Sequence, residues 1–130
     1  MRILLVGQRN LNADSHYTLL EREGYDVLTA QNGHEGRVIC RRSIHPISLL
    51  ITEYAMPRIS GVQLACECAL RYSGLRVLYT LDSPPNDELQ AELRRQRRGF
   101  LTRPFRGDDL LHKARILIGS PAASCLALAS

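Results

Sequence analysis

Short apolar runs alternate with stretches of helical period along the chain. Ile3 to Val6 is apolar at every position, which predicts a strand buried on both faces. Ala13, Tyr17 and Leu20 then recur on one helical face, and Gly24 marks the end of that helix. Tyr25 to Thr29 predicts a second, weaker strand. Asn32 with Glu35 has the form of a capping box opening a helix through about Arg42. Ile47 to Thr52 is the third predicted strand and the most apolar. Ser60 with Gln63 makes another capping box, and its helix turns Leu64, Ala65, Cys68 and Tyr72 inward. Val77 to Thr80 predicts a fourth strand. Ser83-Pro84 reads as a cap followed by a first-turn proline, opening a polar helix to about Arg98. Phe100 to Thr102 predicts a short fifth strand. Asp108 and Asp109 suit the dipole at the start of a last helix, whose apolar stripe is Leu110, Leu111, Ala114, Leu117 and Ile118.

Five strand–helix units without a repeat or linker imply an α/β fold with a parallel sheet covered on both faces. Reactive groups in such sheets sit at the carboxyl ends of the strands, here residues 7–10, 53–57, 80–84 and 102–105. At 130 residues the chain suits one domain with one core. We place that domain at 1–118 and a tail of small, neutral residues at 119–130.

Composition changes this picture little. The chain has no Trp, so Leu, Ile, Val and Ala must fill the core. The net charge of +4 comes largely from Arg41-Arg42 and from Arg94, Arg95, Arg97 and Arg98. A solvated helix face explains these clusters better than a nucleic-acid patch, which wants aromatic or amide neighbours placed to read bases. Cys66 and Cys68 are two apart in a helical pattern and point to different faces, a poor metal clamp. With Cys40 and Cys125 they read as reduced thiols of a cytoplasmic protein. Met1-Arg2 leads straight into a short strand, and no apolar run is long enough to span a membrane.

Two segments carry a family resemblance. Leu49-Leu50-Ile51-Thr52-Glu53-Tyr54-Ala55-Met56-Pro57-Arg58-Ile59-Ser60-Gly61 resembles the receiver segment in which a strand ends on the phospho-accepting Asp, followed by x-x-Met-Pro-x-x-Ser/Asp-Gly. Phe100-Leu101-Thr102-Arg103-Pro104-Phe105 resembles the family's Phe/Tyr-Leu-x-Lys-Pro-Phe, and Ile3 to Val6 its opening strand. The chain is thus similar to the response-regulator receivers of two-component signalling over residues 1–118. The resemblance implies a three-layer α/β/α sandwich of the flavodoxin-like (CheY-like) kind. Its five-stranded parallel sheet would have the order 2-1-3-4-5, and the peptide before Pro104 would be cis.

In the family, two acids after the first strand help hold Mg²⁺, and an Asp accepts the phosphoryl group. A Ser or Thr ending the fourth strand contacts that group, and a Lys after the fifth strand pairs with it. Charge neutralisation and positioning drive such transfers. Here Gly7 and Gln8 stand at the acid pair and Glu53 at the acceptor. Leu81 stands at the alcohol position, with Thr80 next door and Asp82 following. Arg103 replaces the Lys, and Phe100 stands at the switch aromatic. The resemblance with these departures implies a non-enzymatic pseudo-receiver without Mg²⁺ or another cofactor, in which Glu53 turns toward Arg103. It would bind a protein partner or itself through the fourth helix, fifth strand and fifth helix, with Arg94, Arg95, Arg97, Arg98 and Phe100. The alternatives are an orthodox regulator phosphorylated at Glu53, and a nucleic-acid-associated, antiterminator-like module.

Overall fold

The computed structural model describes residues 1–7, 14–95 and 97–119. Strands β1 (Arg2–Val6), β2 (Asp26–Ala30), β3 (Leu49–Glu53), β4 (Arg76–Leu81) and β5 (Arg98–Thr102) alternate with helices α1 (Asp14–Arg22), α2 (Gly33–Arg42), α3 (Gly61–Arg71), α4 (Asp87–Leu93) and α5 (Gly107–Ile118). The strands form one sheet in the order β2-β1-β3-β4-β5, and every pairing is parallel. This is the flavodoxin-like, CheY-like arrangement that the resemblance implies.

Side-chain alternation divides the core into two layers. Leu4, Val6, Leu50, Val77 and Tyr79 face the cluster that receives Cys40 of α2, Leu64 and Cys68 of α3, and Leu89 of α4. Ile3, Leu5, Leu49, Ile51 and Leu78 face Leu20 of α1 and Leu110, Leu111 and Ala114 of α5. Every residue of β3 is buried, the apolar Leu49–Ile51 together with Thr52 and Glu53 at its end.

The helix starts at Asn32 and Ser60 follow the sequence closely. Asn32 Oδ1 accepts from the Glu35 N–H at 2.8 Å, and Ser60 Oγ from the Gln63 N–H at 3.1 Å. The expected start of α4 is corrected. Its N-cap is Asn86, whose Oδ1 accepts from the Leu89 N–H at 2.8 Å, and Ser83-Pro84 stays outside the helix. Pro85 is the reason, because the residue before a proline is pushed out of the α region and Pro84 cannot begin a helix.

The expected end of α4 is corrected too. The helix stops at Leu93 rather than near Arg98. Arg98 belongs to β5, where it pairs in register with Val77. Its guanidinium reaches back to Glu92 Oε1 at 3.2 Å, and both side chains are under 10 % exposed. That ion pair lets a charged residue occupy a strand position. The four arginines therefore form no helical face: Arg94, Arg95 and Arg97 are exposed in the turn, while Arg98 is drawn inward.

Candidate functional site

The carboxyl ends of β1, β3, β4 and β5 meet at one edge of the sheet, where the fold gathers the residues singled out in the sequence. Glu53 ends β3 and pairs in register with Thr80 of β4. It shares the alternation of Leu49 and Ile51, so its side chain leaves the sheet on the α1–α5 side. Thr80 follows Leu78 to the same side, while Leu81 turns the other way into the cluster beneath α3 and α4. Arg103 follows directly on β5, anchored by its N–H donating to the Leu81 carbonyl at 2.8 Å. The Arg103–Pro104 peptide is cis.

Arg103 is the hub. Its Nη2 donates to Glu53 Oε1 and to Thr80 Oγ1, each at 3.3 Å. Its Nη1 donates to Asp82 Oδ1 at 3.4 Å. Glu53 and Arg103 thus turn toward each other, and the carboxylate keeps little exposure, 12 % of its side chain. The hydroxyl that meets this network is that of Thr80. Sequence reading placed Asp82 after the alcohol position without expecting it as a partner of Arg103. Its signal lay in its place, an acid immediately after the fourth strand at the same sheet edge as Arg103.

Gly7 closes the site from the β1 side. Its N–H donates to the Ala30 carbonyl at 3.0 Å, and its φ of +146° is one that side chains with a Cβ rarely adopt. A Cβ built there would lie 2.7 Å from both Cγ and Cδ of Glu53. The longer acid therefore uses room that exists because position 7 has no side chain. Gln8 lies outside the described residues. Below the site, a Cβ at Gly61 would collide with the Glu53 carbonyl oxygen, which explains the glycine that closes the Met-Pro-x-x-Ser-Gly segment.

An open groove of about 790 Å³ runs from Glu53 and Arg103 between the loops after β3 and β4, toward Pro84, Pro85 and Asn86. Tyr54 spans it, its hydroxyl 3.4 Å from Asn86 Oδ1. Phe100 is half-buried against the α3–α4 cluster. On the opposite side, His16 of α1 stacks on Phe105 at 5.4 Å. Burial, and then the neighbouring Arg103 charge, lower its pKa from 6.5. Sequence reading passed over His16, because nothing in its spacing ties α1 to the loop after β5.

Among the described residues the donor set does not suit a divalent cation. Gly7 supplies no carboxylate, and Glu53 and Asp82 both face a guanidinium. Among the described residues no three His, Cys, Asp or Glu side chains cluster as metal ligands do. Nor, among those residues, is any helix long and apolar enough to cross a membrane.

Comparison with known proteins agrees with this architecture. Residues 3–115 match the response regulator receiver domain. A probable transcriptional regulatory protein of Picosynechococcus sp. is 30 % identical over 126 residues, covering 90 % of this chain and 49 % of that protein. The chain thus spans about half the length of this curated relative. A receiver domain protein from Clostridium thermocellum superposes with a TM-score of 0.79 at 24 % identity, covering 90 % of this chain and 93 % of that one. A CheY-like receiver domain protein from Methanospirillum hungatei gives 0.77 at 23 %, covering 88 % and 90 %. With the matched pattern spanning nearly the whole chain, this protein belongs to the response regulator receiver domain family, the receiver domains of two-component signalling.

Proposed function

We propose that this receiver domain signals without being phosphorylated, as a non-enzymatic cytoplasmic module that acts by binding another protein or a second copy of itself. One observation carries the reading: the acceptor-position carboxylate, Glu53, is already engaged by Arg103 over a glycine that offers no metal ligand. A carboxylate brings one negative charge where a phosphoryl group brings about two, so the Glu53–Arg103 pair imitates only part of the phosphorylated state. It favours one fixed conformation over a switchable one. Loss of Mg²⁺ binding follows from the same donor set.

The exposed Arg94, Arg95 and Arg97 beside half-buried Phe100 favour an acidic partner surface on the α4–β5–α5 side. The description of the Picosynechococcus relative favours transcription as the process served.

The test is to incubate the domain with acetyl phosphate and Mg²⁺ and weigh the intact protein. No added phosphoryl mass is expected. An added mass that disappears in Glu53→Gln would restore the orthodox regulator as the better reading. The interaction arm replaces Arg94, Arg95 and Arg97 with Ser. Sedimentation or partner pull-down is expected to change while the circular dichroism spectrum does not. A steep salt dependence of binding to nucleic acid, abolished by the same substitutions, would instead favour the antiterminator-like alternative.

A further inference from the structure

The packing of α2 against α3 brings together two cysteines that the receiver site does not use. Gly36 of α2 lies close against α3, since a Cβ there would stand 3.3 Å from Leu64 Cδ2. One turn further along both helices come Cys40 and Cys68, which share one core cluster and are 4 % and 2 % exposed. One turn beyond Cys68, the Tyr72 hydroxyl donates to the Cys40 carbonyl at 2.8 Å. The helices are thus held together on both sides of the two thiols. Both are free thiols, and both line one recess.

A recess of about 300 Å³ opens over this contact. Arg37, Arg41, Arg71 and Glu67 line it, together with both cysteines. Glu67 is engaged by Arg37 at 2.8 Å and by Arg41 at 3.7 Å.

We propose that Cys40 and Cys68 form a dithiol oxidation site for a small hydroperoxide, closing to a disulfide that staples α2 to α3. The two thiols are unequal. The neighbouring Cys68 side chain lowers the Cys40 pKa against the opposing effect of burial, and the Arg71 and Arg41 charges lower it further. Cys40, with burial, pushes the Cys68 thiol up. Arg37 and Arg41 flank Cys40 on α2 and line the recess with it, which makes Cys40 the attacking sulfur and Cys68 the resolving one.

In the first step the Cys40 thiolate attacks one peroxide oxygen and the O–O bond breaks. Cys40 becomes a sulfenic acid, and the departing hydroxide takes up a proton as water. In the second step the Cys68 sulfur attacks the sulfenic sulfur. The S–S bond forms, the S–O bond breaks, and the hydroxide leaves with the Cys68 proton as a second water. Two thiols and one hydrogen peroxide give one disulfide and two waters, and a dithiol reductant reverses the oxidation.

The test treats the full chain carrying Cys66→Ser and Cys125→Ser with hydrogen peroxide under native conditions. The expected result is an intact mass lower by two hydrogens. A non-reducing peptide map should join the Cys40 and Cys68 peptides, and dithiothreitol should reverse both changes. Cys40→Ser or Cys68→Ser in that background is expected to abolish the mass loss. The same peptide map on the unsubstituted chain requires no variant to fold. The proposal is overturned if both thiols stay free to alkylate after peroxide and denaturation. It is equally overturned if they gain oxygen without linking, or if the only disulfide joins two chains.

Discussion

Arg98 and Glu92 sit in different elements and neutralise each other almost out of reach of water. Removing Arg98 leaves the buried Glu92 carboxylate facing the exposed Arg95 at 3.8 Å, a weaker partner. Arg98→Met is therefore expected to destabilise the domain by about 3–5 kcal/mol in urea denaturation. Adding Glu92→Leu should return a large part of that loss. If the double variant is no more stable than the single one, the pairing account is wrong. At the site, Gly7→Ala meets both an unfavourable φ and the Glu53 side chain, and is expected to lose more than about 1 kcal/mol. In a Glu53→Ala background only the backbone strain remains. The same substitution should then cost less by at least about 0.5 kcal/mol, the coupling expected of side chains in contact. Leu81 was read at the alcohol position with Thr80 beside it, whereas Glu53 and Arg103 were legible in the sequence because strand ends fix their place. The Asp82–Arg103 contact and the room above Gly7 were not, because they depend on how neighbouring loops cross.

Helices and strands were read well where capping chemistry and apolar period agree, as in α2 and α3. They were misread at α4, where Ser83-Pro84 imitates a helix start and Pro85 cancels it. This correction has a measurable form. Asn86→Ala is expected to lower stability by about 1 kcal/mol through loss of its hydrogen bond to the Leu89 N–H. Ser83→Ala, outside the helix, should stay within about 0.5 kcal/mol of the parent. Equal losses at both positions would contradict the observed boundary. The far end of α4 escaped sequence reading for a related reason. A run of arginines looks like one solvated surface until the acid that draws Arg98 inward is located.

On the scale of the whole molecule, alternation of strand and helix sufficed for the layers, and the strand order came with the family resemblance. The link across the sheet edge from α1 through Phe105 to Arg103 became visible only in three dimensions. It carries a pH dependence of global stability. The folded chain disfavours protonated His16, lowering its pKa below the 6.5 expected when unfolded, so the unfolded chain takes up that proton more readily. The stability contributed by neutral His16 is thus complete above the unfolded value and is lost as pH falls through it toward the lower folded value. Urea midpoints measured from about pH 7.5 down to about pH 5.5 should fall less steeply in His16→Asn than in the parent. Parallel slopes would remove His16 from the account.

The contact between positions 7 and 53 also bears on the routes by which such a domain can change. An acid introduced at position 7 meets Glu53 and an unsuitable backbone angle, while shortening Glu53 alone brings back no metal ligand. On the proposed reading, each single step toward a phosphorylatable site is either penalised or without reward. On that reading the glycine acts as a ratchet, because with the longer acid over it selection acting one substitution at a time has no downhill path back.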